Sequence, residues 1–135
     1  MASYVTDTHP LIWHLTSDGQ LGVNARQIFT EADQGRHVVI VPSIVLVETV
    51  FIGEKQKHGI TLGQVAALLD KVAGSANYVV DPLDLGLIQE MQKIPRSKIR
   101  EMPDRIIVAT ALRLGLPLIT EDTAIVASQV IASVW

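Results

Sequence analysis

Short apolar runs alternate with longer segments of helical periodicity along the whole chain. YVT (Tyr4 to Thr6) predicts a short strand, and HPLIWHLT then starts a helix with Pro10 in its first turn. SDGQLG (Ser17 to Gly22) breaks that helix, and NARQIFTEAD (Asn24 to Asp33) sets Ile28 and Ala32 on one face of the next. HVVIV (His37 to Val41) is continuous, β-branched and bounded by Gly35 and Pro42, the pattern of a buried strand. SIVLVETVFIGEKQKHG (Ser43 to Gly59) is too long for a strand and reads as a helix. TLGQVAALLDKVAG (Thr61 to Gly74) is another helix, capped by Thr61 and ended by Gly74. NYVVD (Asn77 to Asp81) is a strand, PLDLGLIQEMQKI (Pro82 to Ile94) a helix, and IPRSKIREMP (Ile94 to Pro103) a basic, proline-flanked loop. DRIIVATALRLG (Asp104 to Gly115) is a strong helix. LPLIT (Leu116 to Thr120), EDTAIVASQ (Glu121 to Gln129) and VIASVW (Val130 to Trp135) read as strand, short helix and strand. Strands alternating with helices predict an α/β fold with a parallel sheet of about five strands and helices on both faces. With no linker, repeat or low-complexity tract, residues 1–135 are expected to form one domain.

Composition narrows the chemistry. Apolar residues make up 48% of the 135 and charged residues 19%, enough for a core and too little charge for disorder. With no cysteine, thiol chemistry and zinc fingers are excluded, and any metal must sit on oxygen or imidazole. The net charge of −3 advertises no global basic field. No apolar stretch approaches the ~20 residues of a membrane span. The start, MASYVTDTHP, lacks the basic region of a secretory signal, so the expected location is cytoplasmic.

Four carboxylates stand out by position. In an open parallel α/β sheet, ligands bind at the carboxyl ends of the strands. Asp7 directly follows YVT, Asp122 follows LPLIT with Glu121 between them, and Asp104 opens a helix after the basic loop. Each has a simple alternative: Asp7 or Thr8 as a helix cap, Asp104 as a favourable acid in a first turn, Asp122 or Thr120 as another cap. Glu48 is harder to explain that way, because every neighbour from Ile44 to Val47 is apolar. A charge on an apolar helix face is costly unless paired or bound to metal, although the side chain could still point outward.

Converging carboxylates repel, and some would hold protons near neutral pH unless a divalent cation were present. Oxygen ligands without cysteine select Mg²⁺ or Mn²⁺. One metal with outer-shell help, or two, would suit four acids. Such a site acidifies and orients a bound water and stabilises charge on a phosphoryl oxygen, which makes phosphodiester hydrolysis the natural reaction.

DTHPLIW (Asp7 to Trp13), SIVLVE (Ser43 to Glu48), MPDRIIVATAL (Met102 to Leu112) and LITEDTAI (Leu118 to Ile125) resemble, in order, the motifs of PIN-domain ribonucleases. The resemblance is closest to VapC-like toxins of prokaryotic toxin–antitoxin pairs and runs from about Tyr4 to Trp135. It implies a three-layer α/β fold and a Mg²⁺- or Mn²⁺-dependent endoribonuclease. It matches Asp7, Glu48, Asp104 and Asp122 to the four acids of the metal site, and Thr120 to the hydroxyl residue beside the last. It also implies a homodimer and a cognate antitoxin laid over the active site.

For RNA, phosphates need local positive charge. Lys93, Arg96, Lys98, Arg100 and Arg105 lie near Asp104 in sequence, and Lys55, Lys57 and His58 end the Glu48 segment. Arg105 adjoins a proposed ligand and is the best candidate among them for substrate. His9 starts the first helix near Asp7 and could also touch substrate, while His14 reads as structural. Aromatics at 4% argue against extensive base stacking. Phe51, Ile52, Leu62, Val65 and Leu69 are expected in the core, with an interface as the alternative. Two other readings remain: a non-catalytic RNA- or protein-binding module of the same fold, and a phospho-acceptor receiver. The second lacks the lysine it would need near LPLITEDT.

Overall fold

A computed structural model describes all 135 residues, and its helices and strands follow the predicted alternation. The strands are β1 (Ala2–Thr6), β2 (His37–Pro42), β3 (Tyr78–Asp81), β4 (Leu118–Ile119) and β5 (Ser133–Val134). They form one sheet in the order β3-β2-β1-β4-β5, and every neighbouring pair is parallel. The helices are α1 (Thr8–Leu15), α2 (Val23–Asp33), α3 (Ser43–Glu54), α4 (Leu62–Gly74), α5 (Leu85–Met91), α6 (Met102–Leu114) and α7 (Thr123–Ser128). The α/β expectation with five parallel strands holds.

The central strands bury residues that point to opposite faces, Thr6 and Val5 on β1 and Leu118 and Ile119 on β4, so the sheet is covered on both sides. α6 is the buried helix: six consecutive residues, Ile106 to Ala111, lie out of solvent. A helix apolar all round belongs inside a domain. Gly115 ends α6 in a left-handed conformation (φ 65°), the terminator its sequence announced.

Most departures from the sequence reading are at helix ends. The helix after Pro42 stops at Glu54, because Gln56, His58 and Gly59 all adopt positive φ and turn the chain. Thr61 caps α4 as expected, in a capping box with Gln64. α5 starts only at Leu85, where Asp84 accepts a hydrogen bond from the Leu87 amide. α6 starts two residues early, with Pro103 inside its first turn. β4 and β5 shrink to two residues each.

One expectation about packing fails. Of the apolar residues assigned to the core on α3 and α4, only Val65 is buried. Phe51 and Leu62 are each 58% exposed, and Leu69 is 39% exposed. Gly53 explains the geometry: a Cβ there would lie 2.6 Å from Val65 Cγ2. The two helices therefore touch through Gly53 and Val65, with Leu62 only at the margin of the contact and Phe51 turned to solvent.

His14 is structural, as expected. Its ring stacks on Phe29 at 4.7 Å, and Nε2 lies 2.9 Å from Asp33 Oδ2. Asp33 also accepts hydrogen bonds from Lys71 Nζ (2.6 Å) and Tyr78 Oη (2.8 Å), tying α1, α2, α4 and β3 together.

Candidate active site at the sheet's switch point

The chain runs from β1 outward to β2 and β3, then returns to β4 on the other side of β1. The strand order therefore reverses between β1 and β4, the place where an open α/β sheet forms its ligand crevice. Asp7 is the first residue past β1. Thr120 and Asp122 lie just past β4. Three of the residues singled out from sequence thus meet at the switch point.

Asp7 is almost fully buried, at 9% exposure, and both its carboxylate oxygens are engaged. Oδ1 accepts from the Thr8 amide at 2.7 Å, and Oδ2 accepts from Thr120 Oγ1 at 2.8 Å. Burial pushes its pKa up, and the two hydrogen bonds restrain that rise. Thr120 also accepts from the Asp122 amide (3.1 Å), and Asp122 caps α7 by accepting from the Ile125 amide (2.9 Å). On the other side of Asp7, Thr8 Oγ1 donates to Glu48 Oε1 at 2.6 Å. A continuous hydrogen-bonded chain therefore runs from Glu48 through Thr8, Asp7 and Thr120 to Asp122. Thr8 is the member the sequence reading missed; it was considered only as a cap. The signal was a second hydroxyl residue directly after the acid.

Asp104 sits in the first turn of α6. Its pKa is pushed up to about 7, first by burial and then by repulsion from Asp7, Asp122, Glu48 and Glu101. The fold thus brings Asp7, Glu48 and Asp122 within electrostatic reach of Asp104. None of the four belongs to any ion pair: the salt bridges involve Glu31, Asp33, Asp81, Asp84 and Glu90 instead. No three His, Asp or Glu side chains stand close enough together to hold an ion as they are. The donor set nevertheless fits a hard divalent cation. It is all oxygen, none of it is paired with a cationic side chain, and a cation would offset both the burial and the mutual repulsion that raise the Asp104 pKa.

Of the other expected contributors, His9 is exposed near Asp7, and its ring meets Trp13 at 5.7 Å and His58 at 4.9 Å. These three residues, with Asp7, Glu121 and Asp122, line a cleft of about 360 Å³. Glu121 is exposed there, and Glu101 is exposed at the start of α6. Arg105 is placed differently from the expectation of a substrate contact. Its guanidinium donates to the carbonyls of Met91 (3.2 Å) and Ile94 (2.9 Å), while Nε is enclosed without a partner. The side chain is committed to tethering the connection between α5 and α6. Arg96 and Arg100 remain exposed and line a shallow concavity with Ser97, and Lys93 pairs with Glu90.

The PIN domain family model matches residues 4–128. The chain belongs to the PIN-domain family. PIN domains are generally nucleases. Solved structures agree on the fold. VapBC2 from Rickettsia felis, bound to a DNA fragment from their promoter, has a TM-score of 0.69 at 14% identity over 98% of this chain and 97% of that one. FitAcB from Neisseria gonorrhoeae gives 0.63 at 17% identity over 96% and 95%. FitAB bound to an IR36 DNA fragment gives 0.62 at 15% over 97% and 93%. No curated protein matches the sequence significantly. No helix of this PIN domain is long and apolar enough to cross a membrane.

Proposed function

We propose that this PIN domain is a divalent-metal-dependent endoribonuclease and the toxin of a toxin–antitoxin pair. The observation that carries the nuclease reading is the meeting of Asp7, Glu48, Asp104 and Asp122 with no counter-cation among the side chains. Those four residues would hold Mg²⁺ or Mn²⁺. The cation would offset their repulsion, lower the pKa of a water and stabilise charge on a phosphoryl oxygen.

The chain's own part is preorganisation. Thr120 and the Thr8 amide fix Asp7 from two sides, Thr8 Oγ1 fixes Glu48, and the α7 amide fixes Asp122. Asp104 is held by the most buried helix of the domain. Carboxylates restrained in this way need little reorganisation when charge develops in the reaction. Exposed Arg96 and Arg100 support a phosphate-backbone contact away from the acids.

The partner reading is supported by VapBC2 and FitAB, complexes with the same fold, and by the exposed apolar face of Val47, Phe51, Leu62 and Leu69. That face suits an antitoxin or a second copy in a homodimer. A non-catalytic RNA- or protein-binding module remains the alternative, because the acids share a crevice without closing on one point.

One assay separates the two. Single-stranded RNA incubated with wild type and Mg²⁺ or Mn²⁺ should give 5′-phosphate and 3′-hydroxyl ends. Asp7→Asn, Asp104→Asn and excess EDTA should each abolish cleavage while the circular dichroism spectrum stays native. Undiminished cleavage under any of these three conditions would refute the mechanism.

A further inference from the structure

The cleft beside the acids holds an arrangement that metal binding does not use. His58 lies in the connection between α3 and α4 with a left-handed backbone (φ 57°), flanked closely by Gln56 (φ 55°) and Gly59 (φ 71°). A non-glycine residue in that region is uncommon and persists only where its surroundings fix it. The result is that the exposed His58 ring stands edge-to-face on His9, with centroids 4.9 Å apart and planes at 86°. His9 in turn packs on Trp13, which is itself buried and contacts Trp135 at 5.8 Å. An exposed aromatic pair is thus braced from below by an edge-to-face tryptophan pair.

The charge of the cleft decides what could lie there. Its lining includes three carboxylates and no lysine or arginine, so beyond a cation held by Asp7 and Asp122 nothing in it attracts a phosphate. A neutral planar group with hydrogen-bonding edges needs no such charge. Gln20, also in the lining, offers both a donor and an acceptor to such an edge. Single-stranded RNA supplies such a group, because its unpaired bases stack on aromatic and histidine rings.

We infer that this cleft is a nucleobase subsite, in which His58 stacks on the base of the nucleotide next to the scissile phosphate and His9 meets that base edge-on. The inference rests on the nuclease reading above and adds the residues that would set its sequence preference. It assigns a role to His58 in the substrate rather than in the metal site. One stacked base is consistent with a chain so poor in aromatics.

The test uses the full chain and two kinds of readout. Titration with adenosine, cytidine or uridine, followed by NMR, should shift the imidazole C–H resonances of His58 and His9 for at least one nucleoside. His58→Ala should abolish the shift at His9, and His58→Phe, which keeps a ring face, should retain it. In cleavage of a random single-stranded RNA pool, His58→Ala should raise KM about tenfold, the loss expected for one stacked base, with kcat within about twofold. Sequencing the ends should show relaxed preference at one flanking position, and His58→Phe should restore both. Active wild type with an unchanged KM and site profile in His58→Ala overturns the subsite and leaves the nuclease reading standing. So does binding of nucleoside monophosphates but of no nucleoside, or loss of antitoxin binding alone. A wild type that cleaves no RNA refutes the nuclease reading itself, and the subsite falls with it.

Discussion

Replacing Asp104 with Asn should stabilise the metal-free protein at pH 8. Asp104 titrates at about 7 in the fold against 3.8 for a free carboxyl. Between those values the folded chain binds more protons than the unfolded chain, so stability contributed here falls as pH rises through that window. Three pKa units correspond to ~4 kcal/mol at most. The carboxyl is only half-buried, so solvent screening reduces this to about 2 kcal/mol. Asn also forfeits the favourable placement of an acid in the first turn of α6, worth ~0.5 kcal/mol. The net gain is about 1–1.5 kcal/mol, or a rise in Tm of roughly 3–6 °C for a domain of this size. Differential scanning calorimetry in EDTA should show that rise at pH 8 and lose most of it at pH 5, where wild-type Asp104 is protonated. Adding Mn²⁺ should reverse the ranking, since only wild type keeps the full acid set and gains Tm by binding. A Tm difference between variant and wild type that does not depend on pH would refute the raised pKa that burial and the neighbouring acids give Asp104.

Thr120→Val should raise the Asp7 pKa further, because the Thr120 hydroxyl holds it down; the acid limb of the pH–rate profile should move to higher pH, with folding retained. Thr8→Val keeps the shape of a buried side chain but frees Glu48, so kcat should fall by tenfold or more in a steady-state assay while Tm changes little. Arg105→Ala should lower stability by about 1–3 kcal/mol in urea titration, since two carbonyls lose their donor, and leave the salt dependence of RNA binding unchanged. Gly22→Ala should cost about 1–3 kcal/mol in the same assay, because a Cβ there would lie 2.7 Å from the Trp135 backbone.

How much of this was legible in the sequence depended on range. The strand-to-helix alternation is a local signal, and it returned the sheet and its helices. The acids at Asp7, Asp104 and Asp122 were visible for the same reason, since each marks an element boundary. Glu48 was visible as a charge in an apolar run. Side-chain direction was not legible. Arg105 adjoins Asp104 in sequence, yet successive helical residues point about 100° apart, and its guanidinium reaches back to Met91 and Ile94 instead. Phe51 and Leu62 fitted a core stripe by spacing, but Gly53 sets where α3 and α4 touch, and that contact is tertiary. His58 looked like the end of a basic helix. Only the left-handed turn after Glu54 brings it to His9.

The sequence also left open whether Asp7 and Asp122 are helix caps or members of a site, and the geometry removes the opposition. An ionised carboxylate has about four acceptor positions. Asp7 spends one on the Thr8 amide and one on Thr120 Oγ1, and Asp122 spends one on the Ile125 amide. Acceptor capacity remains on both. Capping is what makes that capacity useful, because the bond to the helix amide locks the carboxylate's rotamer against a rigid element. A free aspartate at the same place would lose that order, and repulsion from the neighbouring acids would drive it toward solvent. The cap at the start of α1 is therefore the means by which a charged group is kept at the buried edge of the sheet. It follows that swapping Asp7 for Ser, another good N-cap, should preserve the helix and the fold while removing the charge that the crevice is built around.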